Sequence, residues 1–211
     1  MMIANRESFA VASRRLPYDA EIKYLESTGT QYIDTGHIPS ANTDVEISFS
    51  VTSVQATQGI FGQRTGALNN SLLLLQYKWN NTTEGWQLRW DRGTGSQNVL
   101  SPSAGLRYTG TSAGTQFTLN GTTVSVASTN SGGLTLYLFA VNQGGSPILL
   151  APALRIYGCK IYVRGVVVCD YVPVRIGTTG YLYNRTTGEF LGNAGTGSFA
   201  VGPDINQDDR T

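Results

Sequence analysis

Between positions 77 and 92 the chain gathers Tyr77, Trp79, Asn80, Asn81, Glu84, Trp86, Arg89, Trp90, Asp91 and Arg92, including all three of its tryptophans. Flat indole and phenol rings offer an apolar surface with a polar edge. Amides, carboxylates and guanidinium groups supply donors and acceptors for hydroxyls. Together these are the parts of a saccharide-binding surface. In the alternation of a strand, Trp86, Leu88 and Trp90 share one face, and Gln87, Arg89 and Asp91 the other. The Trp-Leu-Trp face is equally the pattern of a packed core, while Trp79, beside a loop, suits either role. The candidate contacts are Tyr77, Trp79, Asn80, Asn81, Gln87, Arg89 and Asp91.

Other chemistry has less support. Glycoside hydrolysis needs two carboxyl groups facing one bond. Asp44 and Glu46 share a strand face but no third acid follows them, and Asp34, Glu84, Asp91 and Asp170 are isolated in sequence. Acids on separate strands could still converge. His37 is the only histidine, in the loop-like Thr35-Gly36-His37-Ile38-Pro39, and no Cys/His spacing suits a transition metal. Asp34 with nearby carbonyls could hold Ca²⁺, but that ion takes six to eight oxygens and one carboxylate is in view. No cofactor is expected. Gly192–Gly197 is glycine-rich without a following helix and Lys, so it reads as a turn rather than a phosphate loop.

Charged residues make up 14% of the 211-residue chain and the net charge is +1, against about 25% charged in an ordinary domain. No basic block exists to attract nucleic acid, and no apolar run approaches a membrane span. Met1–Arg15 lacks the apolar centre of a secretory signal. Asn-x-Ser/Thr at Asn69, Asn80, Asn81, Asn120 and Asn184 follows from the composition.

The elements that would position these residues are strands. Val45, Ile47, Phe49 and Val51 alternate with polar residues over Thr43–Thr52. Leu72–Trp79 and Trp86–Trp90 follow, with a loop between them. Asn120-Gly121 suits a type I′ turn and places Phe117 opposite Val124 in a hairpin over Gln116–Val126. Leu134–Val141, apolar on both faces, reads as a central buried strand. Arg155–Val163 and Val166–Val174 form a hairpin carrying Cys159 and Cys169. A three-residue loop would set the two thiols opposite each other, and a two-residue loop would send them to opposite faces. Free thiols are the expectation. Strands at regular spacing without helical periodicity indicate an all-β two-sheet sandwich.

The opening Tyr24-Leu25-Glu26-Ser27-Thr28-Gly29-Thr30-Gln31-Tyr32-Ile33-Asp34-Thr35-Gly36 resembles that of LamG-like domains of the concanavalin A-like lectin/glucanase superfamily, found in gut bacteria and their phages. Leu136–Asn142, Arg155–Tyr162, Asp170–Arg175 and Gly192–Phe199 fit the same pattern in the same order. The resemblance implies an antiparallel jelly roll over residues 21–202, with ligands on a concave face or its rim loops. Residues 1–20 would be an N-terminal docking arm, and 203–211 a polar tail. The Glu-x-Asp-x-x-Glu pattern of the superfamily's glucanases is absent. The expected function is a non-catalytic carbohydrate-binding or adhesion module on a virion or cell surface. Its partners would be a host glycan and, through the arm, other virion or surface proteins, with no nucleic acid and no membrane insertion; homo-oligomers are compatible with this. The rival readings are a purely structural virion protein and a glycoside hydrolase.

Overall fold

A computed structural model describes residues 16–53, 56–66, 72–81, 85–127, 129 and 132–205. They form two sheets packed face to face, with no helix among the described residues. The larger sheet starts at the hairpin Gln116–Leu119/Thr122–Ser125. It continues through Arg107–Ala113, Thr43–Val51, Leu154–Val163 and Val166–Ile176 to Thr179–Asn184 and Phe190–Leu191. The smaller runs from Ser146–Ile148 through Val141–Gln143, Gln58–Arg64 and Leu72–Asn80 to Gly85–Gly93 and Gly95–Leu100. The architecture is the expected all-β, jelly-roll-like sandwich. Pairing is antiparallel except between Val141–Gln143 and Gln58–Arg64, which run parallel.

The alternation in the sequence sets the core. Val45, Ile47, Phe49 and Val51 are all fully buried between the sheets. Asn120 and Gly121 both have positive φ, and Phe117 faces Val124 as the turn chemistry requires. That hairpin drives Phe117 across the core onto Trp90, ring centroids 4.6 Å apart and nearly parallel. Trp90 is therefore core, and Trp86 packs partly buried against it.

Three expectations need correction. Leu134–Val141 is not one strand. Phe139 has a φ of 65°, a conformation costly for a side-chain-bearing residue. It splits the run into Tyr137–Leu138, antiparallel to Gln58–Arg64, and Val141–Gln143, parallel to it. The buried Phe139 ring packs on Phe199. The cysteine hairpin follows neither simple loop. Its turn has two residues, Arg164 and Gly165, both at positive φ. One extra residue, Val168, then lies between the pairs Tyr162–Val167 and Ile161–Cys169. This bulge returns both cysteines to the core face, where they are free thiols. Finally, the sandwich is longer than residues 21–202. The Tyr18 ring packs on Tyr183 and Phe190, Ala20 pairs with Arg175, and Ile205 donates its backbone N–H to Glu21. Of the expected arm, residues 1–15 lie outside the described residues, as do 206–211 of the tail.

One buried cation ties the sheets together. Arg92, on Gly85–Gly93 and fully buried, reaches across to the start of Thr43–Val51. It donates to Asp44 Oδ1 at 3.1 Å, to the Thr43 carbonyl at 2.6 Å and to the Ala41 carbonyl at 3.1 Å. The same Asp44 oxygen accepts the Gly114 N–H at 3.0 Å. Removing one partner of a buried pair leaves the other uncompensated, at a cost of about 3 kcal/mol or more. Arg92→Ala is expected to lower unfolding free energy by about that amount, measured by urea denaturation.

Tyr77 is fully buried in the same core, and its hydroxyl has no hydrogen-bond partner among the described residues. Burial, then the neighbouring Tyr108, push its phenol up to about 12. In the unfolded chain the phenol ionises near pH 10. A raised native value means that this stability is full below about pH 10 and drains as pH rises through about 12. Tyr77→Phe removes an unsatisfied polar atom. The thermal midpoint at neutral pH should hold or rise, and the loss between pH 10 and 12 should become shallower than in the parent chain.

Candidate functional site

The hairpin Leu72–Asn80/Gly85–Gly93 pairs Trp79 with Trp86, Lys78 with Gln87 and Gln76 with Arg89. Its next neighbour, Gly95–Leu100, sets Asn98 opposite Arg89. Trp79 comes at the end of its strand, where core packing gives out. Its side chain is 43% exposed. It is braced from beneath: its ring meets Trp86 edge-on at 5.6 Å, and Trp86 stacks on Tyr77 at 4.8 Å. Trp79, Asn80, Asn81 and Arg89 line one open depression of about 250 Å³ with Lys78 and Asn98.

Arg89 is held in place rather than waving in solvent. Its Nε donates to Asp91 Oδ1 at 2.8 Å. Asp91 is itself almost wholly buried and accepts from Gln76 at 2.6 Å and from Ser96. Three donors on one carboxylate fix its plane, and the plane fixes the guanidinium. The Nη groups then remain to meet a ligand as a planar fork.

Of the seven contacts expected from sequence, four therefore meet in one place: Trp79, Asn80, Asn81 and Arg89. Tyr77 belongs to the core and supports Trp86. Asp91 is buried under Arg89 and acts through it. Gln87 turns to Ser101, donating at 2.7 Å. Glu84 lies outside the described residues. Lys78 and Asn98 were missed. Lys78 was legible, since it flanks Trp79, but Asn98 enters only through a pairing in which Leu88 faces Leu100 and Arg89 faces Asn98. One residue is skipped there, and no feature of the local sequence marks the skip.

The acids also converge where sequence separated them. On the outer face of the larger sheet, Lys160 faces Glu46 on one neighbouring strand and Asp170 on the other. Two strand spacings place the Cα atoms of the two acids roughly 9.5 Å apart. Glu46 pairs with Lys160 at 3.7 Å and accepts from the Tyr162 hydroxyl at 3.2 Å. Asp170 forms no ion pair among the described residues. Both line a depression of about 200 Å³.

Elsewhere the expected sites do not assemble. Asp34 Oδ1 accepts the Gly36 N–H at 2.9 Å in a local turn. No group of three or more Asp, Glu, His or Cys gathers around it among the described residues. His37 Nε2 lies 3.5 Å from the Thr43 hydroxyl, and burial lowers its pKa.

No family model matches the chain, and no curated protein matches it. Two solved chains share a distant likeness. One, NanB with optactamide, is 11% identical over 86% of this chain and 39% of its own, with a TM-score of 0.42. The other, a point mutant of NanB sialidase from Streptococcus pneumoniae, is 12% identical over 89% of this chain and 40% of its own, with a TM-score of 0.36. The chain thus spans about two fifths of the length of these solved chains. The two sheets face to face are compatible with a concanavalin A-like fold, and no family model supports the LamG-like resemblance.

Proposed function

We propose that the chain is a non-catalytic carbohydrate-binding module whose ligand lies in the depression of Trp79 and Arg89. The observation that carries this reading is the guanidinium of Arg89, anchored by Asp91, in one depression with Lys78 and the amides Asn80, Asn81 and Asn98, with Trp79 at its rim and the indole on the Trp86 face of the hairpin. The amides and the guanidinium fork can pair with the hydroxyls of a sugar lying on this outer face. Because Asp91 anchors Arg89, little of its side-chain freedom is lost on binding, which favours affinity. A surface display on a virion or cell agrees with this reading, as does the low charge of the chain.

A glycan array probed with the full-length protein tests it. Specific hits are expected, and Arg89→Ala should weaken them by roughly thirtyfold, the effect of losing a contact worth about 2 kcal/mol. Trp79→Ala, whose indole lies on the Trp86 face, should weaken them by less. Both side chains are at the surface, so the thermal midpoint should move little. A folded protein silent across the array, or hits indifferent to Arg89→Ala, would defeat the proposal. Reducing-sugar release that Glu46→Gln or Asp170→Asn abolishes would replace it with a hydrolase reading.

A further inference from the structure

We propose that the outer face of the larger sheet carries a second, independent site, which binds a carboxylate or sulfate group of an acidic saccharide through Arg107. Its foundation is a β-bulge. Leu154–Val163 pairs regularly with Thr43–Val51 until Ile156 faces Phe49 and Gly158 faces Ser48. Tyr157 is the extra residue between them. Bulges re-aim side chains and are enriched beside binding sites. Here the Tyr157 hydroxyl lies 3.1 Å from Ser50 Oγ, and its ring meets Tyr24 edge-on at 5.6 Å.

The re-aimed ring is a platform for Arg107. The guanidinium carbon sits 4.3 Å from the Tyr157 ring centroid, and Nε donates to Ser48 Oγ at 2.7 Å. Stack and hydrogen bond together fix the plane of the group. Arg155 has the same stacked arrangement over Tyr24, also at 4.3 Å, but closes on a carboxylate, Glu26, at 2.9 Å. Arg107 has no such counter-ion among the described residues. Its outer nitrogens form the fork that matches a two-oxygen anion.

The surroundings agree in charge. Lys23, also without an acidic partner among the described residues, joins Arg107, Tyr157 and Ile205 around a depression of about 340 Å³ that no acid among the described residues lines. The acids Glu46 and Asp170 lie in the adjoining depression, which shares only Arg107 and Tyr157 with it. Lys160 and Arg185 share that depression with the acids and are paired with Glu46 and Glu21. The Lys23–Arg107 end is therefore where the cations stand without a carboxylate partner among the described residues, and an anionic group is drawn there. Ile205 supplies an apolar wall for ring carbons.

Calorimetric titration of the full-length protein decides the matter, with a galacturonic acid trisaccharide, a sulfated galactose trisaccharide and the neutral galactose trisaccharide as probes. At low ionic strength one or both acidic sugars should bind and the neutral one should not, and physiological salt should weaken the binding. Binding of the first alone assigns a carboxylate ligand, and of the second alone a sulfate. Arg107→Gln should reduce affinity at least roughly tenfold, and Arg107→Lys by less. Arg89→Ala should leave it unchanged, which separates this site from the one proposed above. Circular dichroism should show the variants folded, since Arg107 is exposed. No binding of either acidic sugar, equal binding of the neutral one, indifference to Arg107→Gln, or loss with Arg89→Ala would each overturn the proposal.

Discussion

The fold depends on a buried positive charge that neither sheet can satisfy alone. Arg92 projects from the smaller sheet, and its acceptors, Asp44 and the carbonyls of Thr43 and Ala41, all belong to the larger sheet or the turn leading into it. Taking a guanidinium out of water is costly unless its donors are met. The two sheets must therefore meet in the one register that delivers those acceptors. Hydrophobic burial drives the sheets together, as it would in many registers. The ion pair and its carbonyls select among them.

Strand alternation connects this constraint to the surface. Asp91 and Arg92 are neighbours, so their side chains leave opposite faces of the same strand. Arg92 locks the sheets, and Asp91 fixes Arg89 at the edge of the Trp79 depression. A shift in how the sheets meet would carry Asp91 with it. Arg107, on the far side of the sandwich, is fixed by the same means, an Nε bound to a side chain with its fork left outward. The buried Asp91 sets the position of Arg89, and the Ser48 hydroxyl with the Tyr157 ring sets that of Arg107.

What the sequence revealed was what local physics decides. Asn120-Gly121 dictates its turn, and the period of Val45 to Val51 dictates a buried face. The braced Trp79 and the position of Arg89 were legible because they share one hairpin. The break at Phe139 was not, because its cost is met by distant partners, Phe199 and the strand Gln58–Arg64. The bulges at Val168 and Tyr157 were equally silent, since one extra residue in a strand leaves alternation plausible on either side. Asp91 read as a ligand contact because burial by Gln76 and Ser96 is a property of three paired strands. The meeting of Glu46, Lys160 and Asp170 needs strand order, which no local pattern supplies.

The pairing of the two ends of the sandwich has a consequence for how such a unit can be reused. Ile22 bridges to Asp204, Lys23 donates to the Pro203 carbonyl, and Ile205 donates to Glu21. Arg175 grips Asp204 at 2.6 Å beside Ala20. Entry and exit of the fold therefore lie side by side. A polypeptide arranged this way can be spliced into a surface loop of another protein without prising that loop apart. Its own ends can equally be joined by a short linker and the chain reopened elsewhere. The sandwich is in that sense a cassette, closed by hydrogen bonds at its own doorway.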